Sequence, residues 1–174
     1  KHGRIDLDIV DYVNEDYRET LSAYFAKQNE ILIAITGSGP TNPNSPVGKV
    51  ARYRGSDESC FVNQRIARIK DYDSSRLDLG YLYFMLLRDH FLEEMRSGVA
   101  GTAQANIRFE QIFEYKIPLP SLDEQILLSD YLERIVSRTE LAYSKISILE
   151  NLLRGATEVA IGYGIESLEL PRSM

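Results

Sequence analysis

Side chains that commonly carry catalysis or bind metals are few and scattered in this sequence. Cys60 is the only cysteine, and the two histidines, His2 and His90, lie far apart along the chain. Nucleophilic catalysis requires a serine or cysteine beside a general base, and structural zinc requires four ligands, mostly Cys or His. The sequence supplies no convincing set of either kind. We therefore predict a chain with no enzyme activity of its own, no catalytic residue, no metal and no cofactor.

Two glycine-containing loops fail as nucleotide-binding motifs. A P-loop requires Gly, four residues and then Gly-Lys-Ser/Thr, so that backbone N–H groups surround the phosphates. Here Val50 follows Gly48 and Lys49, and Pro43, which has no N–H, stands where the first glycine is needed. The loop from Gly98 to Gly101 follows a predicted helix rather than a strand, so it is no dinucleotide-binding fingerprint.

Charge is distributed unevenly along this acidic chain. The net charge is −6, yet residues 49–70 carry six basic and two acidic side chains, whereas residues 121–174 carry five basic and nine acidic ones. A basic segment can contact nucleic-acid phosphates, but it is equally compatible with a solvated surface. Charge alone therefore leaves DNA binding open.

The cellular compartment is predicted from what the sequence lacks. A single cysteine cannot form an internal disulfide, no apolar run approaches the roughly 18 residues that span a bilayer, and no export signal is present. We expect a cytoplasmic protein without membrane contact. Because the chain starts at Lys1 and its first residues resemble the middle of a domain, we also expect part of that domain to precede Lys1.

The front of the chain, residues 1–120, mixes short strands and helices. A continuous apolar run predicts a buried strand over 31–36, followed by an irregular loop rich in Pro, Ser and Asn. The remaining predicted elements are a helix over 14–25 capped by Asn14, a strand over 47–54, either a strand pair or one bulged strand over 60–70, a helix over 78–96 capped by Gly98, and a loop of small residues from 98 to 103.

The back of the chain has the pattern of a coiled coil. Ser121 and Glu124 form a capping-box pattern, and a heptad seam with alternating spacings of four and three follows. A helix from about Asp123 to about Ile161 would be roughly 58 Å long, so we expect it to project and pair with another helix rather than fold back. The seam comprises Leu128, Leu132, Ile135, Thr139, Ala142, Ile146, Leu149, Leu153, Ala156 and Ala160. Its predicted pairing residues are Leu128, Leu132, Ile135, Ala142, Ile146, Leu149 and Leu153.

Five segments, in order, resemble the specificity subunits of type I restriction–modification systems. The resemblance covers roughly Glu30 to Ala160, with Asn29 where the family has glycine and an unusually proline-rich loop after Gly39. The segments are Glu30–Ser38, Val47–Val50, Phe61–Ile66, Gly98–Ile107 and Ile117–Gln125.

The resemblance implies a mixed α+β protein that recognises DNA. It implies a globular α/β target recognition domain over 1–120, a long coiled-coil helix over 121–162 and a tail over 163–174. Each recognition domain of the family reads one half of a bipartite double-stranded DNA target. The paired long helices act as a spacer and dock methyltransferase subunits and, through them, restriction subunits. The helix would pair with a second recognition half or with a second copy.

Residues that could contact DNA lie in the basic strands, the irregular loop and the small-residue segment. Basic residues suit phosphates or guanine, and hydroxyl or amide groups suit base edges. A structural role for Gln104 and Asn106 is equally plausible, Asn63 and Gln64 are expected to be structural, and strand alternation leaves the side occupied by Arg65 and Arg68 open. The candidates are Thr36, Ser38, Thr41, Asn42, Asn44, Lys49, Arg52, Arg54, Arg65, Gln104 and Asn106.

Other interpretations of the same features stay open. The domain could belong to a single-chain methyltransferase–nuclease, with the helix packed inside that chain. It could be a coiled-coil scaffold without a DNA role, or a stand-alone half-subunit that pairs with itself. Salt-dependent DNA binding distinguishes the scaffold, because phosphate contacts weaken steeply as salt rises.

Overall fold

The computed structural model describes Gly3, Ile5 and residues 11–39, 41–99 and 104–166, with side chains described as far as Val159. These residues combine strands with helices, which confirms the mixed α+β class. The chain divides into two compact units, Lys1–Ser129 and Asp130–Met174. The elements are β1 (Ile31–Ala34), β2 (Thr36–Ser38), β3 (Val50–Arg52), β4 (Ile66–Arg68), α1 (Leu79–Leu86), α2 (Asp89–Ser97), β5 (Gln104–Asn106), α3 (Phe109–Glu114) and α4 (Leu122–Glu166).

The first unit is built on an antiparallel sheet in which β1 lies between β3 and β4. The prediction of a buried strand is confirmed, since Ile31 and Ile33 are fully buried. Leu32 points to the opposite face, where it packs against a cluster that includes Tyr53. Both faces of β1 therefore contact apolar groups, which explains its continuous apolar sequence.

The predicted strand over 31–36 changes partners at the buried residue Ile35. Its N–H donates to the carbonyl of Arg65 (2.9 Å), and its carbonyl accepts from the N–H of Ile107 (2.8 Å). Beyond Ile35 the chain leaves the first sheet as β2, which pairs antiparallel with β5. The sequence interpretation contains no strand at β5, because three residues after a loop of small residues give no detectable alternation.

The prediction of one helix over 78–96 is wrong, because α1 and α2 are separate helices. Asp78 caps α1 by accepting a hydrogen bond from the N–H of Tyr81 (2.7 Å). Arg88 then takes an extended conformation (φ −71°, ψ 143°) ahead of α2. The predicted helix over 14–25 is likewise two short 3-10 helices, although Asn14 does cap the first of them. Apolar spacing alone does not report such breaks.

The turn before β1 explains one departure from the family pattern. Asn29, which stands where the family has glycine, adopts a left-handed backbone conformation (φ 66°). Glycine adopts this conformation without strain, and asparagine tolerates it better than most residues. The N–H of Asn29 donates to the carbonyl of Tyr53 (2.8 Å), which fixes the turn to the end of β3. Asparagine therefore preserves the turn that glycine would form.

The beginning of α4 is tied into the first unit by side chains. The predicted capping box is confirmed: the hydroxyl and the N–H of Ser121 both donate to Glu124 Oε2 (2.6 and 2.9 Å). The fully buried Gln125 accepts a hydrogen bond from the N–H of Asp78 (3.0 Å) and donates to two backbone carbonyls. The helix thus begins at Leu122, one residue before the predicted start.

The second unit contains the rest of α4, whose apolar side chains are largely exposed. Along the predicted heptad seam, Ile146, Leu149 and Leu153 are 50, 58 and 67% exposed. A second stripe of exposed apolar residues lies one position before seam residues: Tyr131, Leu141, Ile148, Leu152 and Val159. At 3.6 residues per turn, the seam and the second stripe together span about 200° of the helix. No helix among the described residues combines the length and apolar composition needed to cross a membrane.

Candidate nucleic-acid interface

The two-stranded ribbon formed by β2 and β5 has one buried face and one exposed face. Gly37 lies opposite Ala105, which is fully buried. A Cβ atom at Gly37 would lie 2.9 Å from Pro46 and 3.0 Å from Val47, so this face packs closely against the loop before β3. Because strand side chains alternate, the neighbouring residues lie on the other face.

The exposed face of the ribbon is entirely polar, and we call it the polar face. It consists of Thr36, Ser38, Gln104 and Asn106, in which Ser38 lies opposite Gln104 and Thr36 lies opposite Asn106. The Thr36 hydroxyl donates to Asn106 Oδ1 (2.8 Å), joining residues 70 positions apart in the chain. Among the residues that the structure describes, the Gln104 side chain makes no hydrogen bond and is exposed. These four residues were candidates from the sequence, but the sequence did not predict that they lie on one face of a two-stranded ribbon.

The irregular loop continues the polar face from the end of β2. Asn42 Nδ2 donates to the Ser38 hydroxyl (3.1 Å), and Asn42 Oδ1 accepts from the N–H of Asn44 (2.9 Å). Thr41, Asn42 and Asn44 are exposed, whereas Ser45 is fully buried and donates to the carbonyl of Ser38 (2.6 Å). The loop is therefore held by its own hydrogen bonds while it presents amide and hydroxyl groups beside the ribbon.

Residues 7–151 match the family of the type I restriction modification DNA specificity domain. The chain belongs to this family. It is similar to the specificity subunit of the type I restriction enzyme MjaVIII of Methanocaldococcus jannaschii, with 27% identity over 80% of this chain and 32% of that protein. It also matches a subunit assigned to the type I restriction enzyme MjaX of the same organism, with 24% identity over 94% of this chain and 37% of that protein. The specificity domain thus spans about a third of the length of the curated relatives it matches.

Arg52, which the sequence analysis proposed as a DNA contact, is buried in the specificity domain and is not exposed to DNA. Its guanidinium lies over the ring of Tyr83, 4.2 Å from the centroid, and the residue is 9% exposed. Alternation along β3 turns Arg52, like Val50, towards α1. As a correction to the sequence interpretation, we assign Arg52 to packing between the sheet and α1 and exclude it from the proposed interface.

The other basic candidates of the specificity domain have distinct surroundings. Arg54 and Arg65 are exposed, and the backbone of Arg65 bonds to Ile35, immediately before the ribbon. Lys49 is half-buried and lines an apolar cavity of 260 Å³ on the sheet. Arg68, whose orientation the sequence left open, forms a buried ion pair with Glu30 (2.8 Å). Arg54 and Arg65 are therefore the candidates whose exposure suits phosphate contact.

Two residues relevant to the interface were missed by sequence reasoning. Arg108 is exposed and lies two positions after Asn106, but nothing in its local pattern marks it. Arg96 donates to the carbonyls of Ser45 and Val47, which lie about 50 positions away in sequence. No local signal reports a contact of that separation.

The described residues offer no activated nucleophile of the usual kinds. Burial raises the pKa of the Cys60 thiol, which keeps it protonated at neutral pH and weakens it as a nucleophile. His90 is exposed and contacts the hydroxyl of Tyr115 through Nδ1 (3.2 Å). Among the described residues, no group of three or more His, Cys, Asp or Glu side chains is arranged to hold a metal ion.

Proposed function

We propose that this specificity domain reads one half of a bipartite DNA target for a type I restriction–modification complex. The observation that carries the proposal is the polar face, which brings two segments 70 residues apart onto one exposed surface. A two-stranded ribbon fits the major groove of B-DNA, where each base pair presents a distinct set of donors and acceptors. Gln104 and Asn106 are suited to pair with adenine, and Thr36 and Ser38 to donate or accept at either kind of base.

Binding strength would come from exposed basic residues of the specificity domain, since phosphate contacts position a protein on DNA without specifying sequence. Arg65 bonds through its backbone to Ile35 and Arg108 follows β5, so both lie next to the ribbon, whereas Arg54 lies beside the turn before β1, at the end of β1 away from the ribbon. Lys49 would contribute only if its side chain leaves the cavity that it lines. Because the chain is acidic overall, we expect affinity to depend on this local arrangement and to fall steeply as salt rises.

The long helix would serve as spacer and assembly element. The heptad seam suits pairing with the long helix of a second recognition half or of a second copy. The second stripe gives the helix a further apolar surface, which supports docking of a methyltransferase subunit and, through it, restriction subunits. In this proposal residues 1–120 form the recognition domain, residues 121–162 the spacer and residues 163–174 a tail, and catalysis belongs to the other subunits in the cytoplasm.

The proposal is tested by selecting duplexes from a randomised DNA pool with this chain, alone and with a methyltransferase subunit. We expect one short motif to be enriched and to match the methylation pattern of the source genome. Replacing both Gln104 and Asn106 by alanine should reduce the preference for that motif by at least about 30-fold, because each of the two bidentate base contacts discriminates by about 1–3 kcal/mol. Gln64→Ala, an exposed amide outside the ribbon, is the matched control.

Three outcomes would contradict the proposal. If no sequence is enriched, even with the methyltransferase subunit present, the proposal of DNA recognition is rejected and the scaffold interpretation is favoured. If the Gln104 and Asn106 double variant keeps its motif preference, the polar face is not the surface that reads the bases. Methyltransferase or nuclease domains encoded in the same polypeptide would favour the single-chain alternative.

A further inference from the structure

We propose that Arg96, on α2, is the positioning residue that holds the ribbon and its loop in the conformation that reads DNA. This inference rests on the proposed function. The guanidinium spans two carbonyls of the loop: Nε donates to Val47 (3.1 Å) and Nη2 donates to Ser45 (2.9 Å). These carbonyls flank Pro46, so a single side chain fixes the direction of the loop on both sides of the proline.

The loop in turn contacts β2 on the buried face of the ribbon. The buried hydroxyl of Ser45 donates to the carbonyl of Ser38, the last residue of β2 (2.6 Å). Pro46 and Val47 pack under Gly37 so closely that an added Cβ would contact them at 2.9–3.0 Å. A shift of the loop would therefore move β2 and, with it, half of the polar face.

The helix that carries Arg96 is itself firmly placed. Phe91 and Met95 on α2 are essentially fully buried. Gly48, which ends the loop, has a left-handed conformation (φ +79°), and a Cβ there would lie 3.0 Å from Leu92 Cδ1. Close approach between α2 and the end of the loop leaves Arg96 at a fixed distance from both carbonyls. The helix thus acts as a rigid support for a segment without regular structure.

Arginine has the geometry that this role requires. Its planar guanidinium presents several N–H donors in a fixed arrangement, so two carbonyls can be bound at once, whereas lysine offers a single compact charge. Arg96 is only partly exposed, and two of its nitrogen atoms already donate to the loop. We therefore assign it to positioning rather than to phosphate binding.

The test compares Arg96→Met and Arg96→Lys with Arg88→Met, which removes the same charge from an exposed residue just before α2. Hydrogen exchange of the backbone amides over 36–48 is measured first. We expect exchange to rise about tenfold or more in Arg96→Met, because a hydrogen bond to a charged donor is worth at least that factor. Arg96→Lys should be intermediate, and β1 should stay protected in all three variants.

Selection from the same randomised duplex pool is the second measurement. Arg96→Met should lose motif preference about tenfold or more while keeping the low-salt affinity of Arg88→Met for unselected duplexes. A residue that bound phosphates would instead weaken all duplexes alike. Should Arg96→Met fail to fold by circular dichroism, Arg96→Lys and Ser45→Ala make the same comparison, and both should loosen residues 36–48.

The outcomes separate this inference from the proposed function. Exchange and motif preference equal to those of Arg88→Met would overturn the role of Arg96. If Arg96→Lys keeps the parent's exchange rates and motif preference, a guanidinium that binds the carbonyls of Ser45 and Val47 together is not required. If the parent chain enriches no motif, the proposed function fails, and so does the claim that Arg96 supports DNA reading. The exchange data still decide whether Arg96 holds the loop.

Discussion

Gln125 is a buried amide whose three hydrogen bonds fix where the long helix begins. Its Nε2 atom donates to the carbonyls of Arg76 and Pro120 (both 2.9 Å), and its Oε1 atom accepts from the N–H of Asp78. Since Asp78 also caps α1, this one side chain connects the starts of two helices. The resemblance identified Gln125 as part of a motif, and the contacts supply the physical reason for an amide there.

Replacing Gln125 by leucine is expected to lower the free energy of unfolding by about 3 kcal/mol. Three partly buried backbone groups would lose their partner, and because an unsatisfied buried group costs about 1–3 kcal/mol, each of these should cost an amount near the lower end of that range. Urea unfolding checks this, with Gln64→Leu as an exposed control that should change stability by less than about 0.5 kcal/mol. Equal stability of the two variants would show that the amide does not anchor the helix.

Asn29 provides a second test at the residue scale. Because its φ is 66°, Asn29→Ala should destabilise the protein by about 1 kcal/mol, whereas Asn29→Gly should be close to neutral. The comparison is made by urea unfolding of both variants. If alanine is tolerated as well as glycine, the left-handed turn is not required for stability.

Arg52 and Arg68 mark what residue patterns could not predict. Both lie in the basic segment, yet Arg52 packs over Tyr83 and Arg68 forms a bidentate pair with Glu30 (2.8 and 2.9 Å). Their partners are 31 and 38 positions away, so local sequence gives no indication of burial. The number of basic residues in this segment was counted correctly. Because Arg52 and Arg68 are largely buried, fewer of them are exposed for contact with DNA than the count suggests.

Among the elements, those with a strong local signal were predicted well and those defined by distant partners were not. The apolar run of β1 and the capping box of α4 were found from sequence. The change of partners at Ile35 and the strand β5 depend on contacts about 30 to 70 residues away, which no local pattern encodes. The polar face follows from those two features, so its residues were predictable singly but not as one surface.

The capping box gives the start of α4 a specific dependence on pH. Hydrogen bonds from Ser121 lower the pKa of Glu124 below its usual value. A lowered carboxyl pKa means that the stabilisation is present above the ordinary range near pH 4 and is lost as pH falls through the folded-state pKa. We expect Glu124→Ala to be less stable than the parent at pH 7, and the difference to shrink as pH falls below about 4 and through the lowered pKa of Glu124.

Urea unfolding across that pH range measures the effect. Glu150→Ala, which removes an exposed carboxylate elsewhere on α4, serves as the control and should follow the parent at every pH. A constant difference between Glu124→Ala and the parent would contradict the capping explanation, because a neutral carboxyl cannot cap as a carboxylate does.

At the scale of the whole molecule, the two apolar stripes of α4 predict separable assemblies. Replacing Ile146 and Leu149 by aspartate should abolish pairing through the heptad seam, because burying unpaired charge is strongly unfavourable. The matched change at Ile148 and Leu152, in the second stripe, should leave pairing intact and weaken methyltransferase binding. Light scattering gives the mass, and co-purification with the methyltransferase subunit gives the second readout.

Two results would oppose this division of roles. A parent chain that stays monomeric at high concentration would count against self-pairing and favour a second recognition half supplied by another segment. Equal effects of the two double variants on mass would show that the stripes act as one surface. Coiled-coil periodicity alone predicted the seam, whereas the second stripe was overlooked because it lies outside the strict repeat.

The ribbon has a consequence for how new DNA specificities could arise. Its polar face is assembled from two short cassettes, residues 36–38 and 104–106, separated along the chain by segments that include α2. If the polar face reads DNA as proposed, recombination that exchanged either cassette alone would create a hybrid surface, and a few variants of each cassette would combine into many targets. Among the described residues, a donor cassette would need small side chains on its buried face, because a Cβ at Gly37 would lie 2.9–3.0 Å from Pro46 and Val47, and Ala105 is fully buried.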